Sequence, residues 1–238
     1  MLKKVDLNNI LFLDIETVSE YESWSEVPAI LKELFDYKTK HKRKEEFTAE
    51  EYYHNAGIWA EFGKIVCISV AYFVNKNETK ELRVTSFANK LEKDLLTDFK
   101  ELLKNHFNKS YHLLCAHNGK EFDFPYIARR MIINHMEVPN QLNLFGKKPW
   151  EVKHLDTLDL WKFGDYKHYT SLKLLSYILG VPSPKEDIDG SQVGEVYYKE
   201  NDLERIVKYC ERDTVTVAQL LLRFSNLALL DENKIIRV

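Results

Sequence analysis

The sequence is short of the residues that mark secreted, fibrous and membrane proteins. Its 238 residues contain only three cysteines, Cys67, Cys115 and Cys210, an odd number with no CxxC spacing. Each lies in an apolar segment, which favours reduced core thiols over disulfides or a zinc site. Eight glycines and six prolines are too few for a fibrous or low-complexity chain. No apolar run approaches the ~20 residues that span a bilayer, and the opening MLKKVDLNNI lacks the apolar stretch of a signal peptide. No repeat and no Gly/Ser linker interrupts the chain. These absences predict a single domain over 1–238, cytoplasmic and without membrane contact. A large positive excess is missing too: the net charge is −3, which argues against coating long nucleic acid by charge alone but allows a local grip on a strand end. The basic cluster Lys38 to Lys44 runs directly into Glu45 and Glu46 and reads as a solvated helix face.

What is present is a core and an ordered alternation of elements. Hydrophobic residues make up 45% and charged residues 30% of the chain, the balance of a compact domain at this length. Strands are predicted at 10–15, 63–74, 80–87 and 111–118, the second and third joined through Asn75, Lys76 and Asn77. Residues 21–62 form a charged, aromatic-rich insert, helical from about Pro28. Helices are predicted over 91–107, from Phe122 onward, over 170–180 up to Gly180, and through most of the chain after Asn201. Strands interleaved with helices predict an α/β domain with a mixed central sheet.

Three segments concentrate groups that can do chemistry. In ILFLDIETVSE, Asp14 and Glu16 are two residues apart at the end of an apolar strand, so both project from one face. Paired buried carboxylates repel unless a cation joins them. In HNGKEFDFP, Asp123 lies in a first helical turn, where the helix dipole favours a carboxylate. In YCERD, Tyr209 and Asp213 are four residues apart on one helical face. Each segment has an ordinary structural explanation by itself. Together they supply four carboxylates, and oxygen ligands are what Mg²⁺ or Mn²⁺ prefers.

The order D-x-E, N-x-x-x-FD, Y-x-x-x-D resembles the DEDD (DnaQ-like, ribonuclease H-fold) 3′–5′ exonucleases. Tyr209, where another branch carries His, places the likeness in the DEDDy subgroup. EFGKIVCISVA and the insert before it are most similar to stand-alone exonucleases related to the proofreading domain of family B DNA polymerases. The resemblance covers about residues 8–225. It implies a ribonuclease H-like mixed sheet flanked by helices and a metal-dependent 3′–5′ exonuclease. The implied substrate is DNA, single-stranded by preference, hydrolysed to nucleoside 5′-monophosphates. Asp14, Glu16, Asp123 and Asp213 would hold two divalent cations, Mg²⁺ or Mn²⁺, and Tyr209 would orient the attacking water. Thr17, Asn118 and Phe122 would contact the substrate, and Asp156 would support the site from behind. The insert either shapes the substrate groove, with Tyr52, Tyr53 and Trp59 as candidate stacking residues, or covers hydrophobic surface. An exoribonuclease of the same fold and a non-catalytic nucleic-acid-binding subunit are the alternatives. Nothing in the sequence names a protein partner.

Overall fold

Alternating side chains sort the first strand, β1 (Ile10–Ser19), onto two faces. Leu11, Leu13 and Ile15 point one way, Ile10, Phe12, Asp14 and Glu16 the other. Each face is covered by helices, so the strand is buried along most of its length. The computed structural model describes residues 5–43, 46–76, 79–165, 169–182 and 187–238.

After β1 the insert contributes α1 (Ala29–Thr39) and the short α2 (Ala49–Tyr52). Then follow β2 (Gly63–Lys76), β3 (Thr79–Ala88), α3 (Glu92–His106), β4 (Leu113–Ala116) and α4 (Asp123–Ile133). The rest is β5 (Leu155–Asp156), α5 (Thr157–Lys162), α6 (Leu172–Ile178), α7 (Val193–Glu195), α8 (Leu203–Phe224) and β6 (Ile235–Arg237). A π-helical turn, Val196–Glu200, continues α7.

The six strands form one mixed sheet in the order β5-β4-β1-β2-β3-β6. β1, β2 and β3 are antiparallel neighbours, whereas β4 joins β1, β5 joins β4 and β6 joins β3 in parallel. On one face Leu11, Leu13, Ile15, Ile68 and Val70 pack against Leu95, Phe99 and Leu103 of α3 and Phe124 and Ile127 of α4. On the other, Ile10, Phe12, Ala71 and Phe73 meet Val217, Ala218 and Leu221 of α8. This is the α/β, ribonuclease H-like arrangement expected from the sequence. Among the described residues, no helix is long and apolar enough to cross a membrane.

The insert builds a small core of its own around Phe35. Its ring stands 5.2–5.9 Å, centroid to centroid, from those of Trp24, Tyr53, Trp59 and Phe62. Tyr53 and Trp59 are therefore buried packing residues and are not free to stack on a base. A buried guanidinium fastens this unit to the sheet. Arg130 donates from Nε and Nη2 to Glu92 at 2.8 and 2.6 Å, from Nη1 to the Ala60 carbonyl at 2.8 Å and from Nη2 to Glu20 at 3.0 Å.

Several boundaries differ from the sequence reading. Asn75 and Lys76 belong to β2, while Asn77 of the expected turn lies outside the described residues. α1 stops at Thr39, so the basic cluster is only partly helical; Arg43 folds back onto the Asp36 carboxylate and Lys42 stands over the Trp59 ring. Lys44 of that cluster is outside the described residues. The C-terminal helix ends at Phe224. Asn226 takes a left-handed φ of 56°, and the Gln219 amide clamps the Leu230 backbone at 2.8 and 3.0 Å, turning the chain back toward β6.

Candidate active site

β1 runs on past β4. Its pairing with β4 covers only Ile10 to Phe12, whereas its pairing with β2 extends to Ser19. Asp14 and Glu16 thus stand where one edge of β1 has left the sheet, on the face that α8 covers. The β2 residues opposite them are Ser69 and Cys67, and the register slips by one residue immediately after Glu16. Such a bulge bends the strand and re-aims side chains.

On the freed edge Asp123 comes near enough to the Ile15 N–H for it to favour the carboxylate form. Asp123 is brought there by the β4–α4 turn, which needs an unusual backbone. Asn118 adopts a left-handed φ of 64°, and Gly119 is packed so tightly that a Cβ would come within 2.4 Å of the Ala116 Cβ. Asp156 holds the turn in place by accepting the N–H groups of Asn118 and Lys120 at 2.9 and 3.0 Å. It also caps α5 through the N–H groups of Leu158 and Asp159. Its carboxylate is thereby committed to scaffolding, the supporting place expected of it.

From the other side, α8 brings Cys210, Thr214 and Val217 against the sheet. Tyr209 and Asp213 lie one helical turn apart beside that contact row, near enough for the Asp213 carboxylate to act on the Tyr209 hydroxyl. A Cβ on Gly190 would lie 3.9 Å from this hydroxyl, so the 188–192 segment closes over it.

The acids crowd one another. Burial, then repulsion from Glu16, Asp123 and Asp213, pushes the Asp14 carboxyl well above the usual carboxylate range. Burial followed by Asp213 does the same to Glu16. Burial raises Asp123 up to about 7, opposed by N–H groups from its own backbone and from Ile15 and reinforced by Asp156. Burial and the neighbouring carboxylates also hold the Tyr209 phenol above its ordinary value, so it remains a hydroxyl at neutral pH. Carboxylates crowded together in this way fit divalent cations with hard-oxygen preference, which relieve both the desolvation and the repulsion.

One member of the cluster was not singled out in the sequence. Ligand atoms of Asp14, Glu16 and Cys210 lie within 4.8 Å of one another. Burial raises the Cys210 thiol, and it donates S–H toward the Asp14 carbonyl at 3.3 Å and carboxylate at 3.5 Å. Its place beside Tyr209 in YCERD was the available signal.

A cleft of about 610 Å³ opens from Glu16. Ile15 to Ser19 line its floor, His54, Asn55, Gly57 and Ile58 of the insert one wall, and Gly190, Ser191, Glu195, Tyr198 and Lys199 another. Phe122 lines the cleft and also packs on Tyr126, ring centroids 5.3 Å apart. Thr17 lines it too, with its hydroxyl donated to the Gly57 carbonyl at 2.9 Å. A second recess of about 250 Å³ lies against Tyr209 and Asp213 and is lined by Ser171, Lys173 and Asp189 among others. Sequence spacing offered no signal for these walls.

A family model described as a predicted 3′–5′ exonuclease related to the exonuclease domain of PolB matches residues 58–235, about three quarters of the chain. The match includes Asn118, Phe122, Asp123, Tyr209 and Asp213 and begins after β1, so Asp14 and Glu16 join these residues through the fold and not through the match. This chain belongs to that family of predicted 3′–5′ exonucleases, hydrolases whose substrate is nucleic acid.

Proposed function

We propose that the protein is a 3′–5′ exodeoxyribonuclease that prefers single-stranded ends and releases nucleoside 5′-monophosphates. What supports this reading is that Asp123 of α4 and Asp213 of α8 come close enough to Asp14 and Glu16 of β1 for their charges to raise both carboxyls, with Tyr209 beside Asp213. The family's relation to a DNA polymerase exonuclease domain supports DNA as the substrate.

Asp14, Glu16, Asp123 and Asp213 would hold two divalent ions, Mg²⁺ or Mn²⁺, which when bound supply a nucleophilic water and stabilise the departing 3′ oxygen. Tyr209, protonated and fixed by Asp213, orients the water for in-line attack on the terminal phosphodiester. The terminal nucleotide fits the cleft, its sugar and base between Phe122 and Ile58 on one side and the 190–199 wall on the other; the volume lies within the range of ordinary small-molecule sites. Asn118 leaves its side-chain amide without a hydrogen-bond partner among the described residues, free to meet the substrate. Thr17 contributes chiefly by fixing the insert wall through Gly57.

The test is digestion of 3′- and 5′-labelled DNA and RNA oligonucleotides with Mg²⁺, Mn²⁺ or EDTA. Stepwise shortening of 5′-labelled single-stranded DNA with either metal, abolished by EDTA and by Asp14→Asn, is the expected result. Preference for RNA would reassign the substrate, and full activity of Asp14→Asn would overturn the site.

A further inference from the structure

At the opposite end of the sheet, a second concave surface has the composition of a nucleic-acid contact. β4 is four residues long, so about 13 Å of strand separates the turn carrying Asn118 from this surface at His112 and Leu113. There a pocket of about 290 Å³ is lined by Asn108, Lys109, His112, Asn140, Lys147 and Lys153 with other neutral residues, and no carboxylate lines it. Lys109, Lys147 and Lys153 make no ion pair among the described residues. The nearby Glu151 is engaged with the Lys148 backbone N–H at 2.7 Å.

Aromatic rings flank these lysines in the chain and are left in solvent. Tyr111, Phe145 and Trp150 are 58%, 72% and 77% exposed. Two of them are held by contacts. Tyr111 packs edge-on against His112, ring centroids 4.7 Å apart, and His112 is backed in turn by Phe107 at 5.2 Å. The Lys148 ammonium stands 5.3 Å from the Trp150 ring centroid. Unpaired cations in a concavity, with exposed rings on the same chain segments, suit a polyanion that also carries flat, stackable groups.

We propose that this pocket and the chain segments that carry these rings form a second binding site for single-stranded DNA. Phosphates sit on Lys109, Lys147 and Lys153, and bases stack on Tyr111, Phe145 and Trp150. The site rests on the reading that the chain handles DNA, but it does not depend on hydrolysis. It would hold a strand to the protein away from the cleavage centre, so long substrates bind more tightly than short ones.

The experiment measures fluorescence anisotropy of labelled single-stranded DNA of roughly 30 nucleotides, longer than one site of ~4–16 nucleotides, with EDTA to silence cleavage. The expected result is that Lys147→Glu with Lys153→Glu raises Kd about tenfold or more and lowers the log–log salt slope by about 1.4, two phosphate contacts at ~0.7 each. Trp150→Ala raises Kd at least about fivefold. Lys90→Glu with Lys93→Glu, which alters net charge equally at two exposed positions, one just before α3 and one in its first turn, is the control. Should the glutamate pair unfold the protein, Lys147→Gln with Lys153→Gln replaces it. Affinity lost no more in the pocket variants than in the control pair overturns the proposal. A protein that binds DNA here yet cuts nothing would overturn the nuclease reading and leave this one standing.

Discussion

The thiol of Cys210 lies 3.5 Å from Oδ2 of Asp14 and 3.3 Å from its carbonyl oxygen. A soft, buried S–H thus orients a carboxylate proposed to bind a hard cation. Removing the thiol in Cys210→Ala should leave the fold intact and raise the Mg²⁺ or Mn²⁺ concentration needed for half-maximal cleavage roughly tenfold. That is the low end for groups that orient metal ligands, because S–H is a weak donor. Metal titration of activity checks it, and an unchanged half-saturation would make Cys210 a packing residue only.

Stability should depend on pH with a definite sign when metal is removed. Asp14, Glu16 and Asp123 all have folded-state pKa values above the ordinary carboxylate range. A group raised on folding adds stability below its unfolded pKa and loses it as pH climbs through the folded value. The EDTA-treated protein should therefore lose thermal stability from about pH 4 upward, through the Asp123 transition at about 7 and beyond. Mg²⁺ or Mn²⁺ should flatten the profile. Asp14→Asn, which removes one crowded charge, should raise the metal-free Tm at pH 8 while abolishing hydrolysis. Scanning calorimetry across that range decides; a metal-free Tm that climbs with pH contradicts the crowding.

Tyr209→Phe separates orientation from ligation. The hydroxyl beside Asp213 is lost and the ring is kept. Turnover should fall about tenfold to hundredfold, the scale of a misplaced reactant, with metal half-saturation nearly unchanged. Steady-state kinetics and metal titration on one preparation test both halves.

Arg130 should matter to stability more than any surface charge. It and Glu92 are 5% and 9% exposed, and Glu92 also accepts the Ile65 N–H and the Asn134 amide at 2.8 Å each. Arg130→Ala strands a buried carboxylate and should cost about 3–5 kcal/mol in denaturant unfolding. A loss below about 1 kcal/mol would place the pair among weak exposed bridges.

The centre of the site was legible because each of its spacings has a single geometric consequence. Two residues along a strand return to one face, so Asp14 and Glu16 had to project together. Four residues along a helix do the same for Tyr209 and Asp213. Cys210 was passed over, since a cysteine looks alike in sequence whether it meets leucine or a carboxylate; its place beside Tyr209 was the signal it left. Tyr53 and Trp59 were left between stacking on a base and covering hydrophobic surface, because aromatic content alone does not say whether rings face a ligand or each other; Phe35 supplied the partner and decided for packing. The β6 strand escaped notice because Ile235-Ile236-Arg237 gains its extended form only from β3, some 150 residues earlier. The cleft walls come from segments distant in sequence, brought together by Arg130 and by the turn over Tyr209.

That last strand has a consequence for how the molecule behaves in company. β3 would otherwise be the outermost strand, ten residues long, offering its backbone to any passing chain. Pairing Leu82, Arg83 and Val84 with Ile235, Ile236 and Arg237 occupies the middle of that template and leaves a three-residue border on one side of the sheet. The other border is the two-residue β5. Both margins are too short to recruit a neighbour, so loss of residues 231–238 would endanger solubility before it endangered the acidic centre.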